Sequence, residues 1–192
     1  MKKICLITCS LLLSYSLSAC APAIVIGTGT GIVVSNDRRT MGAFLDDGTI
    51  ERKANRILGR NKSLSENTHI NITSVNGLVL ITGEISRQEQ RGQILDAIRN
   101  IKGVQRTVNE IRIAAPSSLT ERSADTWLTS KAKTHLMADE RVDSTRIKVV
   151  TENKSVYLMG LVTPKEADYA VQAVQRTRGV RRIVKLFEYI DR

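Results

Sequence analysis

Beyond position 20 this 192-residue chain has no cysteine; Cys5, Cys9 and Cys20 are the only three. A body without thiols excludes cysteine nucleophiles, Cys-ligated zinc and a disulfide scaffold. Aromatic residues are scarce at 4%, with one tryptophan, and only two histidines and three prolines are present. Twelve glycines without a triplet period exclude a collagen-like repeat. The apolar run Ile4 to Leu13 is too short to span a bilayer as a helix, and no run long enough to do so follows it. The side-chain sets of hydrolases are absent too. His69 and His135 are far apart, no nucleophile pairs with either, and His135 falls on an apolar helix face, where packing explains it. The carboxylate pairs Asp46-Asp47 and Asp139-Glu140 fall at an expected helix start and in an expected loop, where capping or solvation suffices. The chain therefore reads as non-enzymatic, with no metal site.

What is present suits a folded body. Hydrophobic residues make up 42% and charged residues 25%, enough to bury a core in one ordinary domain or two small ones. At the start, Lys2 and Lys3 precede the apolar run, the pattern of a secretory signal, read here as residues 1–19. Its end, Leu17-Ser18-Ala19-Cys20, resembles the lipobox of bacterial lipoproteins. The alternative is a plain signal whose terminus happens to carry a cysteine. The resemblance implies diacylglycerol on the Cys20 sulfur and an N-acyl chain, with no other cofactor. It also implies export to the outer membrane, because Ala21 rather than Asp follows. Residues 20–45 then read as the lipidated terminus and a tether. Gly27, Gly29 and Gly31 lie in it without the strand and helix that a phosphate loop needs.

The formal net charge is +10, and little of it leaves with the signal. Such an excess favours an anionic partner. For a periplasm-facing protein that partner is anionic lipid headgroups rather than nucleic acid, unless the charge serves solubility alone.

The body is a duplication. Lys53-Ala54-Asn55-Arg56-Ile57-Leu58 matches Lys131-Ala132-Lys133-Thr134-His135-Leu136, and Leu78 to Gly83 matches Ser155 to Gly160. Gly103-Val104 matches Gly179-Val180. Each copy reads helix, strand, strand, helix, strand. Asn76-Gly77 between apolar runs marks a hairpin, and Glu152-Asn153-Lys154 occupies its place in copy two. Asp125 is the expected cap of copy two's first helix, on which Leu128, Ala132, His135 and Leu136 share one face. Thr163-Pro164-Lys165-Glu166 is a capping box, repeated by Ser86 and Glu89. Gly83 and Gly160 end the second strands, and Gly103 and Gly179 end the second helices. All four read as structural glycines.

This repeated pattern, with its glycines, with Asp46-Asp47-Gly48-Thr49 and Asp125-Thr126-Trp127, and with the run Val149 to Val162, resembles tandem BON domains. Behind a lipobox it resembles the dual-BON-domain outer-membrane lipoproteins of Gram-negative bacteria. The fold implied is α+β: domains at 46–115 and 123–192, each a three-stranded mixed sheet covered by two helices. The function implied is binding of phosphatidylglycerol and cardiolipin through the first helix of the second domain, support of outer-membrane integrity, and enrichment at division sites.

Physical reading of that helix points the same way. Trp127 has an apolar body and a donor nitrogen, a combination suited to a membrane interface, and Lys131 lies beside it one turn on. Trp127, Leu128, Lys131 and Lys133 are the candidate lipid-binding residues, with Leu128 also able to fill the core. Ile50 occupies the corresponding region of copy one, without an aromatic. A half-buried core tryptophan is the competing reading. Arg176, Arg178, Arg181 and Arg182 form a basic cluster that reads either as a phosphate contact or as a solvated turn. The competing function is a periplasmic interaction scaffold that docks outer-membrane assembly proteins. Oligomeric state is not encoded in any of these features.

Overall fold

Apolar residues spaced by four set both long helices. In the computed structural model, which describes residues 39–191, Ile50, Ala54 and Leu58 bury one stripe of α1 (Met41–Arg60). The expected signal, Cys20 and most of the tether lie outside the described residues. After the short α2 (Lys62–Ser65), the chain forms the antiparallel hairpin β1 (His69–Val75) and β2 (Leu78–Ile85). It then runs through α3 (Gln88–Arg99) to β3 (Arg106–Ile113), which pairs parallel to β2. Copy two repeats the order as α4 (Leu119–Met137), β4 (Lys148–Glu152), β5 (Ser155–Val162), α5 (Pro164–Gln175) and β6 (Arg182–Tyr189). A 3-10 turn, Ser144–Arg146, precedes β4. Each sheet is mixed and has its middle strand, β2 or β5, between the other two. The fold is α+β, two copies of one unit.

Three boundaries differ from the sequence reading. α1 starts at Met41, inside the expected tether, because the Thr40 side chain accepts from the Ala43 amide and caps it. Asp46-Asp47 is therefore inside the helix rather than at its start. α4 starts before position 123: Ser118 and Glu121 form a reciprocal capping box, which leaves Asp125 two turns in, where it caps nothing. At α3 the residue that reaches back is Gln90 and not Glu89, its side-chain oxygen accepting from the Arg87 amide at 3.0 Å.

The alternation along the middle strands explains the larger architecture. On β2, Val79, Ile81 and Ile85 point to the helices, while Leu78 and Leu80 point away. On β5, Val156, Leu158 and Val162 do the former, Tyr157 and Met159 the latter. The second sets, with Val75, meet in one cluster, so the sheets cover each other's helix-free faces. That contact is why every residue of β2 is buried. Polar links frame it: Tyr157 Oη and an Arg182 nitrogen donate to Glu110 at 3.2 and 2.5 Å, Asn76 donates to Glu188 at 2.7 Å, and Lys148 pairs with Glu51 at 2.9 Å. Burial beside Glu110 pushes the Tyr157 phenol up to about 12, so it remains a donor.

Candidate functional site

The first helix of each copy is fixed to its own hairpin by one buried carboxylate. Asp125 accepts from the Asn153 and Lys154 amides at 2.6 and 2.9 Å. Asp47 accepts from the Asn76 and Gly77 amides at 2.7 and 3.0 Å, and from the Ser74 hydroxyl at 2.6 Å. These amides lie in two-residue turns with left-handed backbone, Asn76-Gly77 at φ 51° and 74°, Asn153-Lys154 at φ 49° and 59°. The turn amides have no ladder partner, and the carboxylates supply one. Sequence reading missed this role, although Asp47 and Asp125 sit at the same place in the repeat.

The glycines act through space and conformation. A Cβ at Gly83 would overlap the His69 carbonyl oxygen, and at Gly160 that of Arg146, each on the neighbouring strand or its entry. Gly103 and Gly179 have φ 98° and 100° and lie against helix side chains: a Cβ would come within 3.3 Å of Ile50 and 3.1 Å of Leu128. Ile50 therefore corresponds to Leu128, and the position matching Trp127 is Thr49, whose hydroxyl bonds back to Leu45. This corrects the placing of Ile50 opposite Trp127.

Among the candidate lipid-binding residues, the structure separates two from two. Trp127 is 58% exposed, and the Lys131 ammonium lies 4.2 Å from its ring centroid. The two form one cation–π unit on the outer flank of α4. Leu128 is only 4% exposed, within the core beneath Gly179; its assignment to the lipid face is corrected, because the side chain one position on from Trp127 turns about 100° towards the sheet. Lys133 is exposed but lies about 120° around the helix from Trp127 on the other side, lining a groove with Phe44 and Lys148.

The remaining candidates are largely structural. His69 lies within 3.4 Å of an Arg122 nitrogen and 3.2 Å of the Asn71 amide, in the contact between copies. His135 is half-buried. Asp139 is buried and paired with Arg141 at 2.8 Å, which holds its carboxyl down at about 2. In the basic cluster, Arg182 is engaged with Glu110 and Tyr157, and Arg176 with Asp139 at 3.9 Å; Arg178 and Arg181 extend into solvent. Among the described residues no group of acidic, histidine or cysteine side chains is arranged to hold a metal, and no helix is long and apolar enough to cross a membrane.

Each copy is thus an α-β-β-α-β unit with a hairpin-binding carboxylate and a glycine beneath its first helix. Residues 46–115 and 124–191 match the BON domain family, and the chain belongs to it. Along most of its length it is similar to the outer membrane lipoprotein DolP of Haemophilus influenzae, at 30% identity over 91% of each chain. The 21 kDa hemolysin of Actinobacillus pleuropneumoniae is 31% identical over 81% of this chain and 80% of its own. The osmotically-inducible protein Y of Escherichia coli is 26% identical over 80% of this chain and 77% of its own. None of these names denotes an enzyme family.

Proposed function

We propose that this protein is a non-enzymatic outer-membrane lipoprotein, anchored through acyl chains on Cys20 and facing the periplasm, whose second domain binds anionic phospholipid. A relative matched over 91% of each chain carries the name of an outer membrane lipoprotein, which supports the location. The lipid reading is supported by one observation above all, the exposed Trp127 ring with the Lys131 ammonium against its face. An indole on the outer flank of a core helix has its apolar area in water, and a bilayer interface removes that area while the ammonium meets phosphate. Acyl attachment raises the local concentration of the site at the membrane, so a weak contact suffices to sense composition. Phosphatidylglycerol and cardiolipin are the expected ligands, and envelope integrity with enrichment at division sites is the expected role.

Trp127 is the sole tryptophan, so its emission reports this contact alone. With the full chain held in lipid vesicles by its anchor, emission is expected to shift to the blue as phosphatidylglycerol replaces zwitterionic lipid. An unchanged spectrum overturns the lipid reading. Recovery of one envelope protein by crosslinking at Trp127, with no lipid response, supports the scaffold reading instead.

A further inference from the structure

We infer that the membrane-reading surface of the second domain extends beyond α4 to a cationic rim of Lys154, Arg178 and Arg181, which engages the phosphates of an anionic bilayer around Trp127. The inference rests on the lipid reading above and names the residues that would give that site its charge preference.

Three segments converge at this end of the domain. The loop 177–181 reaches α4 through Gly179, which lies against Leu128. On the helix surface Leu128 and Lys131 stand about 100° and about 40° from Trp127 in the same sense, so the loop borders the flank that carries the ring. The β4–β5 turn joins the same loop, since the Arg181 amide donates to the Lys154 carbonyl at 2.8 Å, and Asp125 holds the turn to α4. Lys154, Arg178 and Arg181 are all exposed, and none forms an ion pair among the described residues. Arg176 and Arg182, their neighbours, are held by Asp139 and Glu110.

The first copy provides an internal comparison. There the Gln105 amide makes the same bond, to the Gly77 carbonyl at 2.9 Å, which aligns Arg181 with Gln105 and Lys154 with Gly77. Arg178 aligns with Lys102, Lys131 with Lys53 and Trp127 with Thr49. The same scaffold thus carries two cations and no aromatic ring in one copy, and four cations around an exposed indole in the other. At the turn, the lysine stands at φ 59°, where the first copy has glycine at φ 74°. A lysine in left-handed backbone is unfavourable for folding and contributes nothing to the core, so packing does not account for it. A bilayer accounts for both halves of the asymmetry, because it offers phosphates to the cations and an acyl boundary to the ring.

The test uses the full chain in lipid vesicles with Trp127 emission as readout. The triple variant Lys154→Gln, Arg178→Gln, Arg181→Gln is compared with a control of equal charge loss in the first copy, Lys53→Gln, Lys62→Gln, Lys102→Gln. Each cation near an anionic surface favours the bound state by about fivefold. The ratio of inserted to free Trp127 at a fixed phosphatidylglycerol content is therefore expected to fall by at least about tenfold in the first variant. In the control it should fall less than about twofold. Arg178→Lys with Arg181→Lys, keeping Lys154, is expected to restore most of the response, and equal melting temperatures show that folding is unaltered. If the two triple variants respond alike, the rim is not the reader. If the wild-type chain shows no shift at all, it is the lipid reading that fails.

Discussion

At the scale of single residues, the glycines are distinguished by what surrounds them. Gly83 combines φ 113° with a neighbouring carbonyl in the space of a side chain, whereas Gly92, in α3, has open space where a Cβ would stand. Gly83→Ala is expected to destabilise the fold by about 2–4 kcal/mol through backbone strain and forced separation of β1 from β2. Gly92→Ala is expected to stabilise it by roughly 0.5–1 kcal/mol through helix propensity. Urea midpoints of the two variants, shifted in opposite directions, would check both. Sequence alone marked Gly83 and Gly160 as special because they recur in the repeat. It did not distinguish Trp127 as exposed, because a tryptophan next to a core leucine fits either flank of a helix; the deciding fact is that Leu128, not Trp127, lies against Gly179.

At the scale of elements, the hairpins and the helix that begins with Thr163-Pro164 were legible because their signals are local: positive-φ residues between apolar runs, and a box that closes on itself. The starts of α1 and α4 were not. Residues before the apolar stripe, from Leu119 to Ala124, have no core-facing side chain to reveal a helix, and only the Ser118–Glu121 box marks the true beginning. Asp125 looked like a cap because it precedes the stripe, yet its partners are amides 28 and 29 residues further along the chain. Asp125→Ala is expected to cost about 2–3 kcal/mol, since two turn amides lose their acceptor. Lys154→Gly, by contrast, is expected to add about 1 kcal/mol to stability by relieving left-handed backbone. Thermal melts of the pair would separate the latch from the strain, and the second variant should also respond less to anionic lipid.

At the scale of the whole molecule, the contact between the copies carries buried charge. Glu84 and Glu152 are 3% and 6% exposed on the facing sides of the two sheets, with His69, Asn71 and Arg122 at the same end. Burial raises the Glu152 carboxyl above its ordinary value; the Asn71 bond at 2.6 Å and the His69 charge oppose this, while Glu84 and Asp125 reinforce it. Between the ordinary and the raised value the folded state holds more protons than the unfolded one, so stability is full below that window and falls as pH rises through it. Glu152→Gln is expected to raise the melting temperature at neutral pH and to flatten its dependence on pH across the window. An unchanged profile would place the coupling elsewhere. None of this was legible in the chain, because alternation along a strand shows that both faces are apolar without showing what covers the second one.

The mutual covering of the sheets has a consequence for anyone dividing the protein. Half of the molecule, expressed by itself, would turn Leu78 and Leu80, or Tyr157 and Met159, out to water as a greasy plank. A single-repeat version would be expected to clump unless those positions were first rewritten with polar side chains.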